Sequence, residues 1–354
     1  GQSAYSSKSV YNNEGYFGRV QYDYDEKIFG SASFRRDASS RFHPDHRWGS
    51  FWSVGGAWIL TKEDWLSDVK WLDNLKFKAS YGQQGNDNIG SYRYVDVFDI
   101  VNASGNIGTS FATKGTEDIT WETQGNFNAG FEFGFLNRIS GSIEYFRRNT
   151  TDMLFSFSVA PSLGYSSYYD NVGDMYNSGF ELDLNVNAYR SKDISWDIFA
   201  NISTLRNRIS MLHDDKKNTA LWDANGTKVK GYTSGSFFIC EDVSIYSWRL
   251  KEYAGVDPET GKSLWYKNTF QKDANGEYVL DAEGDRIWTG RETTDAYSDA
   301  DYYLNRESTL PKLQGGFGTT FRAYGFDLSV NFTYQIGGKT LDYTYQQFMT
   351  NPTS

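Results

Sequence analysis

Residues 326–336 read FDLSVNFTYQI, and the strict alternation of apolar and polar side chains in this stretch decides the fold class. A period of two residues is typical of a β-strand with one apolar face and one polar face. Its length fits the roughly 9–11 residues that a tilted strand needs to cross a bilayer. The apolar face carries Phe326, Leu328, Val330, Phe332, Tyr334 and Ile336, and the polar face carries Asp327, Ser329, Asn331, Thr333 and Gln335.

The same alternation recurs along the chain and predicts about twelve strands, so the fold class is all-β. No long helix is indicated, apart from a short amphipathic turn around Glu63–Trp71. The other predicted strands are 16–24, 28–36, 50–60, 75–82, 127–135, 139–148, 180–188, 195–204, 244–254, 263–268 and 315–323.

The connections between these strands distinguish a membrane barrel from a soluble sandwich. Short turns alternate with long links, as in an antiparallel up-and-down transmembrane β-barrel with short periplasmic turns and long extracellular loops. The short turns lie at 25–27, 136–138, 190–194 and 324–325, with medium links at 61–73 and 255–262 in the same series. The long links are 37–49, 83–125, 149–177, 205–243, 269–314 and 337 onward.

Tryptophan positions agree with a barrel, because aromatic girdles mark the two membrane interfaces. The residues at or near predicted strand ends are Trp48, Trp52, Trp58, Trp65, Trp71, Trp196, Trp248 and Trp265. The competing interpretation is that these side chains fill a soluble core.

Composition excludes several classes of function. The chain has 354 residues and a net charge of −10, which argues against a nucleic-acid partner. Its one cysteine, Cys240, excludes an intramolecular disulfide and a C-x-x-C site. No Ser/His/Asp, Cys/His or paired-carboxylate arrangement stands out. We therefore predict no enzyme active site, no cofactor and no resident metal.

Two weak metal patterns have simpler explanations. His43, Asp45 and His46 lie together, but two histidines beside a proline in a loop are poor evidence for convergent ligands. Residues 273–285 contain Asp273, Asn275, Gly276, Glu277, Asp281, Glu283 and Asp285. Their glycine does not fall where a calcium loop needs it, and Asp-Ala-Asn-Gly, which recurs at 223–226, is an ordinary turn sequence.

The polar strand faces would line a wet lumen or touch a plug. They include Glu132, Glu181, Asp183, Asn185, Asn187, Asn331 and Gln335. Loop aromatics could stack on sugar rings, bind peptides or only stabilise the loops; they are Tyr165, Tyr168, Tyr169, Trp222 and Trp288. The sequence assigns none of these residues to a ligand.

The two ends of the chain suggest an internal piece of a longer protein. The opening GQSAYSSKSV starts with Gly and has neither the basic start nor the apolar run of a signal peptide. The closing NPTS looks like a loop cut short. Twelve strands alone would also leave two open edges, which a bilayer core does not tolerate.

The segment SASFRRDASSRFHPDHRWGSFWSVGGAWIL (31–60) resembles the SusC/RagA family of TonB-dependent outer-membrane transporters, typical of Bacteroidota. The signature within it is Arg35, Arg36, Asp37, Ser39, Ser40, Arg41 and Phe42, with Ala38 where the family usually has Gly. We expect these residues to be structural, although the arginines could line the lumen. Further blocks follow in family order at 75–92, 119–154, 171–185, 254–262 and 325–339.

The resemblance implies a barrel of 22 strands around an N-terminal plug. It also implies a TonB-contacting segment and a SusD-like surface lipoprotein that covers the barrel. Residues 1–354 are then a partial TonB-dependent receptor-like β-barrel domain, without the plug and the final strands.

The implied function is TonB-dependent uptake of a large nutrient across the bacterial outer membrane, with a glycan oligosaccharide as the leading substrate. Some family members take peptides, so that alternative stays open. Other hypotheses are a passive barrel and, from a different class, a secreted glycan-binding β-sandwich. The sandwich predicts that the apolar strand faces meet in a core, whereas the barrel predicts that they face outward.

Overall fold

A computed structural model describes residues 10–103, 105–165 and 167–349 of the chain, so the opening GQSAYSSKS and the closing NPTS lie outside the described residues. The chain divides into two compact units. The wall unit is Gly1–Thr204 with Gly315–Tyr334, and the loop unit is Leu205–Gln314 with Gln335–Ser354.

Ten long strands of one antiparallel sheet build the wall unit, in the order β1-β2-β3-β4-β7-β8-β11-β12-β22-β23. The predicted all-β meander is therefore confirmed. Its strands are β1 Asn13–Tyr24, β2 Ile28–Ser39, β3 Trp48–Ile59, β4 Leu72–Asn86, β7 Glu122–Phe135, β8 Ile139–Thr151, β11 Gly173–Arg190, β12 Ile194–Thr204, β22 Leu313–Ala323 and β23 Phe326–Ile336. Two hairpins lie in its long links: β5 Val97–Ala103 with β6 Asn106–Thr113, and β9 Leu154–Ser158 with β10 Ser167–Asn171.

Tight turns join the strands at one rim of the sheet. The turn between β1 and β2 places Asp25 and Glu26 at positive φ, and Leu136 and Asn137 do the same between β7 and β8. Such left-handed backbone matches the right-handed twist of the flanking strands. The link between β3 and β4 begins with a single 3-10 turn, Leu60–Lys62. This turn comes just before the short amphipathic turn that the sequence predicts at 63–71.

The apolar face of this sheet is exposed. Phe180 on β11 is 55% accessible, and Leu328 and Phe332 on β23 are 59% and 54% accessible. A secreted sandwich would bury these side chains against a second sheet, so this finding favours a lipid-facing wall. Six of the eight girdle tryptophans are likewise exposed: Trp48, Trp52, Trp58, Trp65, Trp71 and Trp196.

The loop unit corrects two predicted wall strands. Segments 244–254 and 263–268 contain strands β17, β18 and β19, but these belong to small sheets of the loop unit and are too short to cross a bilayer. A closed barrel forms from β14 Thr219–Asp223, β15 Lys228–Ser234, β16 Phe237–Cys240, β17 Ser247–Lys251 and β21 Tyr302–Ser308. Beside it in sequence are β13 Arg206–Leu212 and the sheet of β18 Tyr253–Val256, β19 Ser263–Phe270 and β20 Trp288–Thr294.

This unit has a core of its own. Leu221, Phe238, Cys240, Val243 and Leu304 form one buried cluster. Trp248 is buried against Phe237, with ring centroids 4.7 Å apart, so the prediction that it belongs to a membrane girdle is wrong. Trp265, in the three-stranded sheet, is also misassigned and packs on Tyr297.

One short helix, α1 Tyr343–Met349, follows the last wall strand, where only loop was predicted. Three further 3-10 turns occur, at Pro161–Leu163, Asp214–Lys216 and Tyr297–Asp299. Within the described ranges, no helix has the length and apolar character needed to cross a membrane.

Candidate functional site

A ladder of opposite charges crosses the polar face of the wall. Lys76 Nζ lies 3.2 Å from Glu132 Oε2, and Lys78 Nζ lies 3.3 Å from the other oxygen of that carboxylate. Lys78 also reaches Glu144, at 3.0 Å. In the register, Gly130 stands between Lys78 and Glu144 and presents no side chain there. The lysine can therefore bridge two strands.

The polar face is concave around this ladder. A cavity of about 650 Å³ is lined by side chains of that face, among them Gln21, Ser31, Lys78, Asn128 and Glu144. Carboxylates, amides, hydroxyls and an ammonium group can all exchange hydrogen bonds with a polar solute.

The other predicted lumen residues lie on the same polar face. Asn185 and Asn187 line a second cavity of about 490 Å³ together with Asp197. Asn187 Nδ2 donates to Asp197 Oδ1 over 2.5 Å. Glu181 and Asp183 follow the same alternation in β11, as Asn331 and Gln335 do in β23.

The family signature runs from the polar face of β2 into the following loop. Arg35 Nε pairs with Asp37 Oδ2 at 2.5 Å, and Arg36 stacks over the Trp48 ring. The Asn12 backbone N–H donates to Ser40 Oγ. Only the Arg35–Asp37 pair is local, because Trp48 begins β3 and Asn12 precedes β1.

The signature's second half contacts the loop after β4 through one carboxylate. Ser39 and Tyr11 both donate hydroxyl hydrogen bonds to Asp87 Oδ2, over 2.6 and 2.9 Å. Arg41 Nη1 donates to the Asp87 carbonyl over 2.9 Å, and its guanidinium lies over the Tyr11 ring. Asp87 therefore anchors two loops of the wall unit.

An apolar cluster continues this anchor among the loops. Phe42, Ile89 and Ile119 are buried together and come from two long links, 37–49 and 83–125. Tyr94, Trp121, Leu154 and Tyr169 pack around them. Sequence reasoning missed this cluster, because isolated apolar residues inside long links carry no periodic signal.

The Asp-Gly turns are confirmed as turns, and there are three of them. Asp223, Asp273 and Asp281 each accept two backbone N–H bonds on Oδ1, from residues two and four positions later. Each turn has a glycine three positions after the aspartate, at φ of +82° to +85°. The third, Asp281-Ala-Glu-Gly284, makes 271–286 a tandem eight-residue repeat that the spacing of D-A-x-G could have revealed.

Lysines occupy the acidic cluster that the last turn creates. Asp281, Glu283 and Asp285 present carboxylate oxygens within 4.8 Å of one another. Lys228 Nζ lies 2.5 Å from Asp281, 2.9 Å from Glu283 and 3.2 Å from Asp285. The hydrogen bond from Lys228 lowers the pKa of Asp281 to about 2. The cluster's charge is thus met by the protein's own cations.

His43 contacts a residue of its own loop and a glutamate of another link. Its Nδ1 accepts the Asp45 backbone N–H at 3.4 Å, and its Nε2 lies 3.9 Å from a Glu117 oxygen. The His46 ring is 6.3 Å away between centroids.

The loop aromatics are engaged with protein partners. Trp222 packs edge-on against Phe270, and Trp288 donates from Nε1 to Asn268. Tyr169 lies under the Arg93 guanidinium, and Tyr165 contacts Tyr168. Each of these rings therefore contacts a neighbouring loop residue, and a role in ligand binding stays a prediction.

Comparison with known proteins agrees with this geometry. A family profile described as "TonB dependent receptor-like, beta-barrel" matches residues 1–353. The chain is 28% identical to TonB-dependent receptor SusC of Bacteroides thetaiotaomicron, over 99% of this chain and 33% of that protein. It is 29% identical to TonB-dependent receptor P3 of Formosa agariphila, over 93% and 32%. The chain spans about a third of the length of these curated relatives.

Among solved structures, the RagAB peptide importer in its closed-closed state superposes with a TM-score of 0.74 at 31% identity, over 93% of this chain and 34% of that chain. Its open-open state gives the same TM-score at 29% identity, over 93% and 33%. The match over nearly the whole chain, the exposed apolar wall and the meander together show that this chain belongs to the TonB dependent receptor-like β-barrel family, in its SusC/RagA group of outer-membrane proteins.

Proposed function

We propose that the protein containing this barrel wall imports an oligomeric nutrient across the outer membrane, with energy supplied through TonB. The observation that carries the proposal is the superposition on the RagAB peptide importer over 93% of the chain. The polar wall face supports it, because a passing hydrophilic solute would meet hydrogen-bonding groups such as Lys78, Asn128 and Glu144.

A glycan oligosaccharide is the proposed substrate class. Sugars carry many hydroxyl groups, and the two cavities of the wall face present amide and carboxylate partners for them. Peptides are the second candidate, favoured by the likeness to a solved peptide importer. A SusD-like lipoprotein is the proposed lid, and TonB would act through a segment outside these residues.

A growth experiment tests the import proposal. The gene is deleted in its own bacterium, and growth is measured on single glycan oligosaccharides or on oligopeptides as the limiting nutrient. We expect growth on at least one glycan to be lost and to be restored by the full-length gene. Loss on peptides alone would overturn the glycan assignment.

A matched variant tests the energy source. Full-length protein without its TonB-contacting segment should bind the same nutrient in detergent but should fail to restore growth. Restored growth with that variant would indicate a passive channel and would contradict the proposal. Co-purification of an epitope-tagged SusD-like lipoprotein with the full-length protein tests the lid.

A further inference from the structure

A separate cavity of about 470 Å³ lies within the loop unit, and none of the sites described above uses it. Five cationic side chains line it, together with a single carboxylate. These residues are Arg206, Arg208, Arg306, Lys312, Lys339 and Glu307.

The charges in this cavity do not cancel. Lys339 pairs with Glu307 at 3.3 Å, and Arg306 pairs with Asp223 at 3.1 Å. The ion pairs of the described residues include none for Arg206, Arg208 or Lys312. Since the chain as a whole carries a net charge of −10, a positive cavity is a local exception to its composition.

Asp223 stays ionised although it is buried, and its carboxylate pairs with Arg306. Burial opposes ionisation of this carboxyl, but hydrogen bonds from the Thr227 backbone N–H and from Arg306 keep its pKa below the usual value. Arg306 is therefore paired on one side with a carboxylate whose charged form is favoured.

Buried polar groups form part of the same cavity's lining. Asn207 is 5% exposed and Ser244 is fully buried. Ser244 Oγ donates to Asn207 Oδ1 over 2.9 Å. Because a hydroxyl has one hydrogen, the Ser308 hydroxyl is the donor in the 3.0 Å bond between Ser308 and Ser244. The Asn207 oxygen also accepts the Ile245 backbone N–H. This lining is preorganised.

Two successive glycines form another side of this cavity. Gly337 and Gly338 have φ of +78° and +79°, which other residues adopt only with strain. A Cβ on Gly338 would lie 2.7 Å from the Thr309 carbonyl oxygen. The next residue, Lys339, donates its backbone N–H to the Ser308 carbonyl. The backbone at 337–339 therefore lies against the cavity beside the Ser308 hydroxyl.

We propose that this cavity binds the anionic group of an acidic oligosaccharide, a carboxylate or a sulfate ester. Guanidinium forks match such oxyanions, and the hydrogen-bonded lining holds the backbone that carries them. The inference rests on the proposed glycan import and narrows its substrate class.

The test uses purified full-length protein in detergent and isothermal calorimetry at low salt. The probes are a galacturonic acid hexamer, its neutral methyl ester, a carrageenan hexasaccharide and hexaglutamate. The variant combines Arg206→Gln, Arg208→Gln and Lys312→Gln. The matched control combines Lys70→Gln, Lys192→Gln and Lys272→Gln, which remove the same charge away from the cavity lining.

We expect at least one acidic glycan to bind and to lose tenfold or more in affinity in the cavity variant, but less than twofold in the control. Binding should also weaken with added salt, because exposed charges are screened. If the triple variant does not fold, Lys312→Gln alone is tested, and we expect it to lower the affinity for the acidic glycan about threefold. The carboxylated and sulfated probes distinguish the two sources of the anion.

Three results would overturn the inference: no binding of either acidic glycan, equal loss in the control, or tighter binding of the methyl ester than of the acid. Binding of hexaglutamate alone would also overturn it, in favour of an acidic peptide. These outcomes differ from failure of import, which the growth experiment reports separately.

Discussion

Ser39 Oγ donates a hydrogen bond of 2.6 Å to Asp87 Oδ2 and so joins the end of β2 to the loop that follows β4. The residues are 48 positions apart. Tyr11 and Arg41 converge on the same aspartate. One carboxylate thus accepts from Ser39 and lies 3.5 Å from Arg41, and both residues belong to the family signature.

Replacing this carboxylate should loosen the loops. Asp87→Ala removes the carboxylate that accepts from Ser39 and Tyr11, while Arg41 keeps its hydrogen bond to the backbone carbonyl of residue 87. Hydrogen bonds to a charged group contribute about 1.5–3 kcal/mol. We expect the free energy of local opening at residues 87–121 to fall by about that amount, measured by native-state proteolysis in detergent. Asp99→Ala, at an exposed site in β5, is the control and should leave cleavage unchanged.

Phe42 should contribute more than any single polar contact of this anchor. Its side chain is fully buried with Ile89 and Ile119, so Phe42→Ala removes a ring from a packed cluster. The expected loss in free energy of unfolding of the loop region is about 3–5 kcal/mol. Urea-dependent proteolysis measures it. Leu163→Ala, at an exposed position, should change it little, and equal effects would contradict this packing.

Two equivalent turn glycines should respond differently to alanine. Gly226 and Gly276 have φ of +82° and +85°, so either substitution costs about 1–2 kcal/mol in backbone strain. A Cβ on Gly226 would also lie 2.3 Å from the Trp288 ring, whereas Gly276 has nothing within 4 Å. We expect Gly226→Ala to lower the melting temperature of the loop unit more than Gly276→Ala does. The transition is monitored by Trp288 fluorescence in the full chain. An equal shift for both would show that Trp288 is not packed there.

The tandem turns should resist acid until the lysine pairs are lost. The pKa of Asp281 falls from 3.8 to about 2 because Lys228 donates to it. A lowered folded-state pKa gives stability that is present above about pH 4 and is lost as the pH falls through 2. Pepsin should therefore cut residues 271–286 slowly at pH 4 and rapidly near pH 2.

The variant Lys228→Gln removes this protection. Three carboxylates then lie close together without their main cation, so cleavage at pH 4 should already be fast and should change less toward pH 2. Lys70→Gln should keep the wild-type profile. A Lys228→Gln profile identical to wild type would show that the ion pairs do not protect the turns.

The signature's structural role and the identity of the ligand-contacting residues remain predictions, whereas the wall could be predicted in detail. The predicted strand 326–336 coincides with β23, and the predicted turn at 324–325 is the link between β22 and β23. Alternation is a local property of the chain, and so is the Asp-x-x-Gly pattern of the turns.

Partners distant in sequence could not be predicted in the same way. Alternation places 244–254 and 263–268 in strands but does not say which strand each will pair with, so the sequence predicts as membrane wall two segments that lie in small sheets of the loop unit. The meeting of Ser39 with Asp87, and of Arg206 with Lys312 around one cavity, depends on loop closure across many residues. The sequence by itself determined the wall strands, their two faces and the family. Only the tertiary structure decided which loop side chains converge, because convergence depends on packing between segments that have no shared local pattern.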